Sequence, residues 1–390
     1  MREGWRIEKF GGICDLKKGK KPSLTNTKEP NVNPYLVAKY LRGAEPTDFA
    51  FIEDKNSIPV TADEIIIICD GSNSGETFIG FDGILSSTMA KIVHGNNIET
   101  KFLIYFLELM FEKFNSSKTG SAIPHLDLNA LRNQVLPVPP LPEQRRIVAI
   151  LDEAFEGIAI AKANAEKNLQ NTHEVFESHM NAVFSQRGEG WVEKSLGELA
   201  TLRNGINFSK ARSGETIKIL GVKDFQYNYW APIDNFDTIV SDGKIKSSDI
   251  LKENDIVFVR SNGNPELIGR CLLVGRVNEK VTHSGFTIRA RLSSSDVNIQ
   301  YLCHFLKLRE THRKMIDGGN GISIKSLNQE TLSNLIIPLP RLLEKQTKIV
   351  NQVEKLSAET QHLEFIYEKK LTALDELKQS LLHQAFNGDL

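Results

Sequence analysis

The sequence contains few cysteines and no long hydrophobic run. Its 390 residues include four cysteines, and no two of them form a Cys-x-x-Cys pair. This argues against a disulfide framework and a zinc site, so we expect reduced cysteines and no bound metal. No apolar stretch approaches the roughly 20 residues that span a bilayer, and the N-terminus lacks the apolar segment of a secretory signal. We therefore expect a cytoplasmic protein.

Net charge is also nearly absent. The chain has 48 Lys and Arg against 49 Asp and Glu, which gives a formal charge of −1. A protein that binds nucleic acid by itself is usually basic, so any such surface here must be local. This balance fits a subunit that shares a duplex with partners better than one that holds it alone.

Catalytic motifs are missing as well. An adenine methyltransferase is expected to carry an Asn- or Asp-Pro-Pro-aromatic loop, and Asn33-Pro34-Tyr35 has one proline too few. A nucleotide-driven translocase needs Gly-x4-Gly-Lys-Ser/Thr, a spacing that no glycine supplies here. We find no Asp…Glu-x-Lys nuclease cluster and no histidine pair at the metal-binding i, i+4 spacing. The sequence therefore favours a protein that binds over one that catalyses.

The chain carries one pattern twice. Residues 5–19 recur as residues 191–205, at a constant offset of 186 (191 minus 5). The matched positions are Trp5/Trp191, Gly11/Gly197, Ile13/Leu199, Leu16/Leu202 and Gly19/Gly205. The prolines that close each copy match at an offset of 201 (338 minus 137): Pro137/Pro338 and Pro139/Pro340. This indicates two duplicated domains rather than a solenoid, whose repeats are roughly 20–50 residues long.

Each copy predicts an α+β domain followed by a long helix. Both copies mix short β-like runs with turn clusters and one amphipathic helix, and the longest apolar run, residues 65–69, predicts a buried strand. Closely spaced prolines then end each domain, since proline disfavours helix before it. We predict a first domain at residues 1–138, a first long helix at 139–187, a second domain at 188–339 and a second long helix at 340–390.

The two long helices predict a coiled coil. Apolar residues of the second helix recur at steps of three and four or their sums: Ile349, Val353, Leu356, Leu363, Tyr367, Leu374, Leu377 and Leu381. A shift of 202 places smaller residues on the first helix: Ile147, Leu151, Ala154, Ile158, Ala161, Ala165, Asn168, Thr172 and Val175. A seam of this length needs a partner helix. We predict an antiparallel pair that relates two similar domains by an approximate two-fold axis and holds them roughly 65 Å apart.

Two loops carry side chains that suit the edges of bases. One lies at residues 70–75, after the predicted buried strand, and the other at residues 260–264, after its counterpart. Arginine suits guanine, and asparagine suits adenine. The candidate base-contacting residues are Ser72, Asn73, Ser74, Arg260, Ser261, Asn262, Asn264, Arg270, His283 and Ser284. The alternative for each loop is an ordinary polar turn.

A group of lysines suits phosphate contact. Lys17, Lys18, Lys20 and Lys21 flank Gly19, and Lys118 is a weaker candidate. Lysines on phosphates position a protein on a duplex without reading its sequence. The alternative is an ordinary solvated run of charge.

Several motifs point to a known family. They are Leu-Pro-Val-Pro-Pro-Leu-Pro-Glu-Gln-Arg-Arg-Ile-Val at 136–148, Ile-Pro-Leu-Pro at 337–340 with Gln346 and Ile349-Val350, and the helix ends Ala-Val-Phe at 182–184 and Gln-Ala-Phe-Asn-Gly at 384–388. With these motifs the whole chain resembles the DNA specificity subunit of type I restriction–modification systems. One departure is Leu343, aligned with Pro142 of the first copy, which predicts a less sharp start of the second helix.

The resemblance implies a function and partners. Each variable domain would read one half of a split site in double-stranded DNA, while the helices set the spacing and dock two methylase subunits. Those subunits would use S-adenosylmethionine, and restriction subunits in the full complex would use ATP and Mg²⁺, with no cofactor on this chain. Two alternatives remain: a stand-alone DNA methyltransferase with unrecognised motifs, and a coiled-coil scaffold without a DNA role.

Overall fold

The computed structural model describes residues 4–116, 124–207, 214–225, 228–241, 245–317 and 326–390. Its strands are β1 (Arg6–Lys9), β2 (Cys14–Lys18), β3 (Leu24–Thr25), β4 (Val32–Leu36), β5 (Phe49–Phe51), β6 (Pro59–Val60), β7 (Ile65–Ile68), β8 (Thr77–Phe78), β9 (Gly83–Leu85), β10 (Met89–His94), β11 (Val135–Val138), β12 (Trp191–Ser195), β13 (Ala200–Asn204), β14 (Glu215–Leu220), β15 (Asp237–Ser241), β16 (Ile256–Val259), β17 (Cys271–Leu273), β18 (Val281–His283), β19 (Thr287–Leu292) and β20 (Ile336–Pro340). Its α-helices are α1 (Phe10–Ile13), α2 (Ala38–Leu41), α3 (Thr100–Ser116), α4 (Leu128–Asn133), α5 (Leu141–Phe184), α6 (Leu196–Leu199), α7 (Ile299–Lys307), α8 (Arg309–Asp317), α9 (Gln329–Ser333) and α10 (Leu343–Asn387). Short 3-10 turns lie at Val222–Phe225, Ile233–Asn235, Ser247–Asp249 and Pro265–Leu267.

The chain folds into two compact units. The first comprises residues 1–167 and 367–390, and the second comprises residues 168–366. Helix α5 begins in the first unit and ends in the second, whereas α10 begins in the second and ends in the first. Each unit therefore combines an α+β globule with segments of both long helices, which confirms the predicted fold class.

The two globules share one frame. Each has a four-stranded antiparallel sheet in the same order, β2-β10-β7-β8 in the first unit and β13-β19-β16-β17 in the second. Each also has a two-stranded ribbon, β1-β11 or β12-β20. The remaining sheets share three strands in one arrangement, since β5-β4-β9 and β15-β14-β18 each combine one antiparallel and one parallel pair. They differ at the edges, where the sheet of the first unit also contains β3 and β6. The repeat in the sequence therefore marks the four-stranded sheet and the ribbon, and the stretches without a repeat build a third sheet that varies at its edges.

Two of the repeated glycines stand where backbones nearly touch. A Cβ atom on Gly19 would lie 2.0 Å from the Ser86 carbonyl oxygen, and one on Gly205 would lie 2.1 Å from that of Ser284. Any side chain at either position would force the two backbone segments apart. This close approach explains why both copies carry glycine at the end of β2 and β13.

Each globule is packed around one apolar strand and one aromatic anchor. All four residues of β7 and of β16 are buried, which confirms the predicted buried strand. In the first unit the ring of Phe386, near the end of α10, lies 4.9 Å from that of Phe102. In the second unit Phe184, the last residue of α5, lies 5.0 Å from Tyr301. The end of each long helix is thus part of a globular core.

A buried glutamine fixes the start of α5. Gln144 is fully buried, and its side-chain oxygen accepts a hydrogen bond from the Glu99 backbone N–H at 2.8 Å. Its amide nitrogen donates to the backbone oxygens of Asn97 at 3.0 Å and Pro139 at 2.8 Å. One side chain therefore ties the helix to the loop before α3 and to the Pro-rich segment that precedes α5.

The second unit repeats this glutamine contact at the start of α10. Gln346 accepts from the Asn298 N–H at 2.8 Å and donates to the oxygens of Asp296 at 3.0 Å and Pro340 at 2.9 Å. The helices α5 and α10 begin at Leu141 and Leu343, the same distance before their glutamines. The alignment of Leu343 with Pro142 was therefore wrong by one residue, and α10 starts as sharply as α5.

Within each unit the two long helices run antiparallel. In the first unit Arg146 donates to the Leu390 backbone oxygen at 2.8 Å, and Lys162 forms an ion pair with Asp375. As the residue number rises along α5, the residue number of the contact partner in or just after α10 falls. In the second unit His173 and Glu364 form a contact of 3.0 Å. Closer to the end of α5, Met180 and Phe184 share an apolar cluster with Ile349 and Val353, near the start of α10.

The predicted seam on these helices needs a correction. Val353 is fully buried, but Leu363 and Leu377 are 41% and 47% exposed, and Val175 on α5 is 62% exposed. The other predicted positions of α10, Ile349, Val353, Leu356, Tyr367, Leu374 and Leu381, are buried or half-buried, and Glu364 and Lys378 are half-buried in place of Leu363 and Leu377. On α5, Leu169 and Phe176 take the places predicted for Asn168 and Val175. Thirteen of the 17 predicted positions are therefore buried or half-buried, and the four exposed ones each lie one residue before a covered position.

Other expectations concern cysteines, metals and membranes. All four cysteines are buried and free. In the described part of the chain, no group of His, Cys, Asp and Glu residues is arranged to hold a metal ion. No helix there is long and apolar enough to cross a membrane.

Replacing Gln346 with methionine should destabilise the second unit. Methionine keeps the volume but leaves the buried backbone groups of Asn298, Asp296 and Pro340 without their partner, at a cost of about 3 kcal/mol. Chemical denaturation should show a lower unfolding midpoint for Gln346→Met than for the wild type. The control is Gln352→Met, an exposed position of the same helix, which should leave the midpoint unchanged. Equal midpoints for both variants would contradict the role of Gln346.

Candidate nucleic-acid interface

The two predicted loops occupy equivalent places in the two sheets. The first follows β7 and closes where the Gly75 N–H donates to the Ile68 oxygen at 2.8 Å. The second follows β16 and closes where the Gly269 N–H donates to the Val259 oxygen at 2.9 Å. Both glycines have a positive φ, 99° and 83°, which favours glycine at these positions. A backbone hydrogen bond thus holds the two ends of each loop together and fixes the loop to its sheet.

Arg260 opens the second loop beside a neighbouring turn. Its backbone N–H donates to the Phe286 oxygen at 2.8 Å, just as the Cys69 N–H donates to the Thr88 oxygen at 2.9 Å in the first unit. The half-buried guanidinium of Arg260 lies 3.5 Å from the Gly285 oxygen. The same backbone position therefore carries an arginine in one unit and a buried cysteine in the other.

The polar side chains of the second loop support its own turns. Ser261 is half-buried, while Asn262 and Asn264 are exposed. The Asn262 side-chain oxygen accepts from the Asn264 N–H at 2.8 Å, and that of Asn264 accepts from the Glu266 N–H at 3.1 Å. Arg270, at the end of the loop, is half-buried and donates to the Glu266 backbone oxygen at 3.1 Å. These bonds use the amide oxygens and orient the side chains.

The first loop is shorter and less uniform. Ser72 and Asn73 are exposed. Ser74 is fully buried, and its hydroxyl finds no hydrogen-bond partner among the described residues. Ser72 and Asn73 therefore face solvent, whereas Ser74 faces the core in this conformation.

The lysines around Gly19 differ in their surroundings. The Lys18 ammonium lies 3.2 Å from the Asp70 carboxylate, which also contacts His125 at 2.8 Å. Lys17, Lys20 and Lys21 are exposed. Lys118 lies outside the described residues. Lys18 is thus partly neutralised at the mouth of the first loop.

His283 and Ser284 hold the neighbouring turn from inside. They are 1% and 8% exposed. The ring nitrogen Nδ1 of His283 lies 2.9 Å from the Thr287 hydroxyl, which in turn donates to the Ser284 backbone oxygen at 2.7 Å. Burial, together with the positive charge of Arg289, lowers the pKa of the His283 imidazole to about 4. In this conformation both residues support the turn from below, and their contact with DNA stays a prediction.

The structure also brings together charged residues that the sequence analysis did not select. Arg291 donates to the buried Asp255 carboxylate at 2.7 Å, and Arg203 lies 2.6 Å from the buried Asp249. Arg289, which is 5% exposed, points in from the same strand as Arg291. The alternating arginines of β19 were the available signal for this cluster, in which Arg291 ties the strand that follows the turn to Asp255.

The geometry shared by the two units indicates the class of protein to which the chain belongs. One frame occurs twice, and at the same place each copy presents a loop of polar side chains that is closed at its base, with an arginine added in the second copy. The family model of the type I restriction modification DNA specificity domain matches residues 2–171 and 188–370. The chain therefore belongs to this family of specificity subunits, which recognise DNA and leave catalysis to other subunits.

Individual relatives match along the whole chain. The specificity subunit of the type I restriction enzyme MjaVIII of Methanocaldococcus jannaschii is 27% identical over 409 residues, which cover 100% of this chain and 93% of that protein. The EcoKI specificity subunit of Escherichia coli K12 is 25% identical over 425 residues, which cover 100% and 90%.

Solved structures support the fold. A chain from a structural study of complex assembly and conformational transition of the type I R-M system has a TM-score of 0.79 at 18% identity, covering 100% of this chain and 99% of that one. The HsdS subunit from Thermoanaerobacter tengcongensis has a TM-score of 0.60 at 19% identity, covering 100% and 98%.

Stability should depend on pH through His283. Well above pH 6.5 the imidazole is neutral in both the folded and the unfolded state and contributes nothing. Between pH 6.5 and about 4 the unfolded state takes up a proton that the folded state excludes, so stability falls as the pH falls. The loss should reach about 2–3 kcal/mol.

The variant His283→Asn retains a donor for the Thr287 hydroxyl but does not titrate. Its unfolding midpoint should decline less between pH 6.5 and 4 than that of the wild type. Part of the decline should persist because burial also lowers the pKa of His304 to about 4. Parallel curves for the two proteins would show that His283 does not titrate in this way.

Proposed function

We propose that this specificity subunit reads a split DNA site, with one unit for each half. The observation that carries this proposal is a shared frame that presents chemically different loops at one position. The first loop offers Ser72 and Asn73, and the second offers Arg260, Asn262 and Asn264. Since arginine suits guanine and asparagine suits adenine, the two units would prefer different sequences.

We further propose that two methylase subunits dock on this chain in the cytoplasm. They would bring S-adenosylmethionine, and restriction subunits would bring ATP and Mg²⁺ where the full complex forms. Support comes from the family, from the absence of a methyltransferase motif in the sequence, and from exposed apolar side chains on α10. Among the latter, Leu363 and Ile366 are 41% and 42% exposed.

A library of randomised duplexes tests the split site. The full-length chain, in complex with the methylase subunits of its host, should enrich two short fixed sequences separated by unspecified bases. A single continuous sequence, or no enrichment, would contradict the proposal. Methyl transfer by the purified chain without partners would instead favour the stand-alone methyltransferase.

Replacing Arg260 with alanine should relax base preference at one position of one half-site. Loss of a bidentate contact with guanine costs about 1–3 kcal/mol of discrimination. Competition binding with single-base variants of the enriched site measures this change. The control is Arg276→Ala, which removes the same charge from an exposed position of the same unit and should keep the preference. An unchanged preference in Arg260→Ala would remove this residue from the interface.

Replacing Lys20 with alanine should weaken binding to all sequences alike. If its ammonium contacts a phosphate, the slope of log K against log salt should become shallower by about one unit. The matched control is Lys18→Ala, which should change the slope less because Asp70 already neutralises part of this charge. A loss confined to particular sequences would show instead that Lys20 reads bases.

A further inference from the structure

A large aromatic side chain stands exposed beside the second loop. Phe286 is 59% exposed, although its neighbours Gly285 and Thr287 are buried. Exposed aromatic rings are common at binding surfaces, where they supply contact area. Phe286 is therefore a candidate for a contact with a binding partner, provided that its surroundings belong to the candidate interface.

The turn that carries Phe286 is held by backbone hydrogen bonds. The N–H groups of Ser284 and Gly285 donate to the oxygens of Leu220 at 3.0 Å and Ile206 at 2.7 Å. A Cβ atom on Gly285 would lie 1.9 Å from the Asn207 side-chain oxygen and 3.3 Å from the Ile206 backbone oxygen, so glycine allows the turn to pack closely against residues 206 and 207. The ring is thus presented from a fixed base, which limits the entropy lost on binding.

The position of the turn places the ring in the candidate interface. The Phe286 backbone oxygen accepts from the N–H groups of Arg260 at 2.8 Å and Ser261 at 3.3 Å. The guanidinium of Arg260 rests against the same turn, 3.5 Å from the Gly285 oxygen. Phe286 and Arg260 therefore belong to one surface that combines an apolar ring with a cation.

The first unit carries a different residue at the matched point. There Thr88 accepts from the backbone N–H groups of Cys69 at 2.9 Å and Asp70 at 3.1 Å, as Phe286 does from the second loop. Thr88 is also exposed. A position that is exposed in both units but changes from threonine to phenylalanine suits a contact whose target differs between the two half-sites.

We propose that Phe286 is a specificity-determining residue whose ring contacts bases in the half-site read by the second unit. This inference rests on the proposed function. A phenylalanine ring packs against the methyl group of thymine in the major groove or wedges between adjacent bases, and both contacts depend on sequence. Phe286 would add an apolar contact beside the polar contacts of Arg260.

The test uses the full-length chain in complex with its methylase subunits and a library of randomised duplexes. Phe286→Ala should bind the wild-type site roughly tenfold or more weakly and should select altered bases in one half-site only. Phe286→Trp keeps an aromatic ring and should retain most of the affinity. Uracil in place of thymine should weaken the wild type but not Phe286→Ala if the ring contacts a thymine methyl. If uracil does not weaken the wild type while Phe286→Ala still selects altered bases, the ring wedges between adjacent bases and does not contact a thymine methyl group.

The controls separate this inference from other causes. Trp230→Ala removes another exposed aromatic ring of the same unit, whose backbone pairs with Leu273 instead, and it should leave the selected bases unchanged. Unchanged affinity and selection in Phe286→Ala would overturn the inference. So would weaker assembly with the methylase subunits and an unchanged selection, because the ring would then face a protein. A wild-type complex that enriches no split sequence would instead overturn the proposed function itself.

Discussion

A single buried amide at the head of each long helix is the contact on which the architecture depends. Gln144 and Gln346 each accept one backbone hydrogen bond and donate two, at 2.8–3.0 Å, to segments that lie far apart in the sequence. Only an amide offers an acceptor and two donors at this length of side chain. Glutamate or methionine would leave buried backbone groups unsatisfied. The bond set therefore fixes where each helix leaves its globule.

The repeat in the sequence was a good guide to this frame, because its fixed points are backbone constraints. Gly19 and Gly205 recur since a neighbouring carbonyl leaves no space for a side chain. The sheets β2-β10-β7-β8 and β13-β19-β16-β17 occupy corresponding positions in the two copies of the repeat and have the same strand order. The third sheet of each unit could not be predicted in this way, because the stretches that form it do not keep the register of the repeat and its parallel strands pair across distant segments of the chain.

The helix seam shows why hydrophobicity alone misplaces a buried face. Leucine marked positions 363 and 377 as core, yet the covered face passes through Glu364 and Lys378. Lys378 is accommodated because its ammonium lies 4.9 Å from the centre of the Phe155 ring and forms an ion pair with Glu108. Long charged side chains can line a helix contact with their apolar stems. The pattern of apolar residues in a sequence does not show which charged side chains line a helix contact in this way.

The candidate interface likewise combines residues that support the fold with residues that face solvent. Ser74, His283 and Ser284 have the chemistry of base contacts but are buried, and His283 and Ser284 hold a turn through hydrogen bonds. Composition cannot distinguish such supporting residues from those that face outward. The loops are anchored through backbone groups, as at Gly75 and Gly269, so side chains at their tips can change without altering the frame. That separation allows one fold to present different recognition surfaces in its two units.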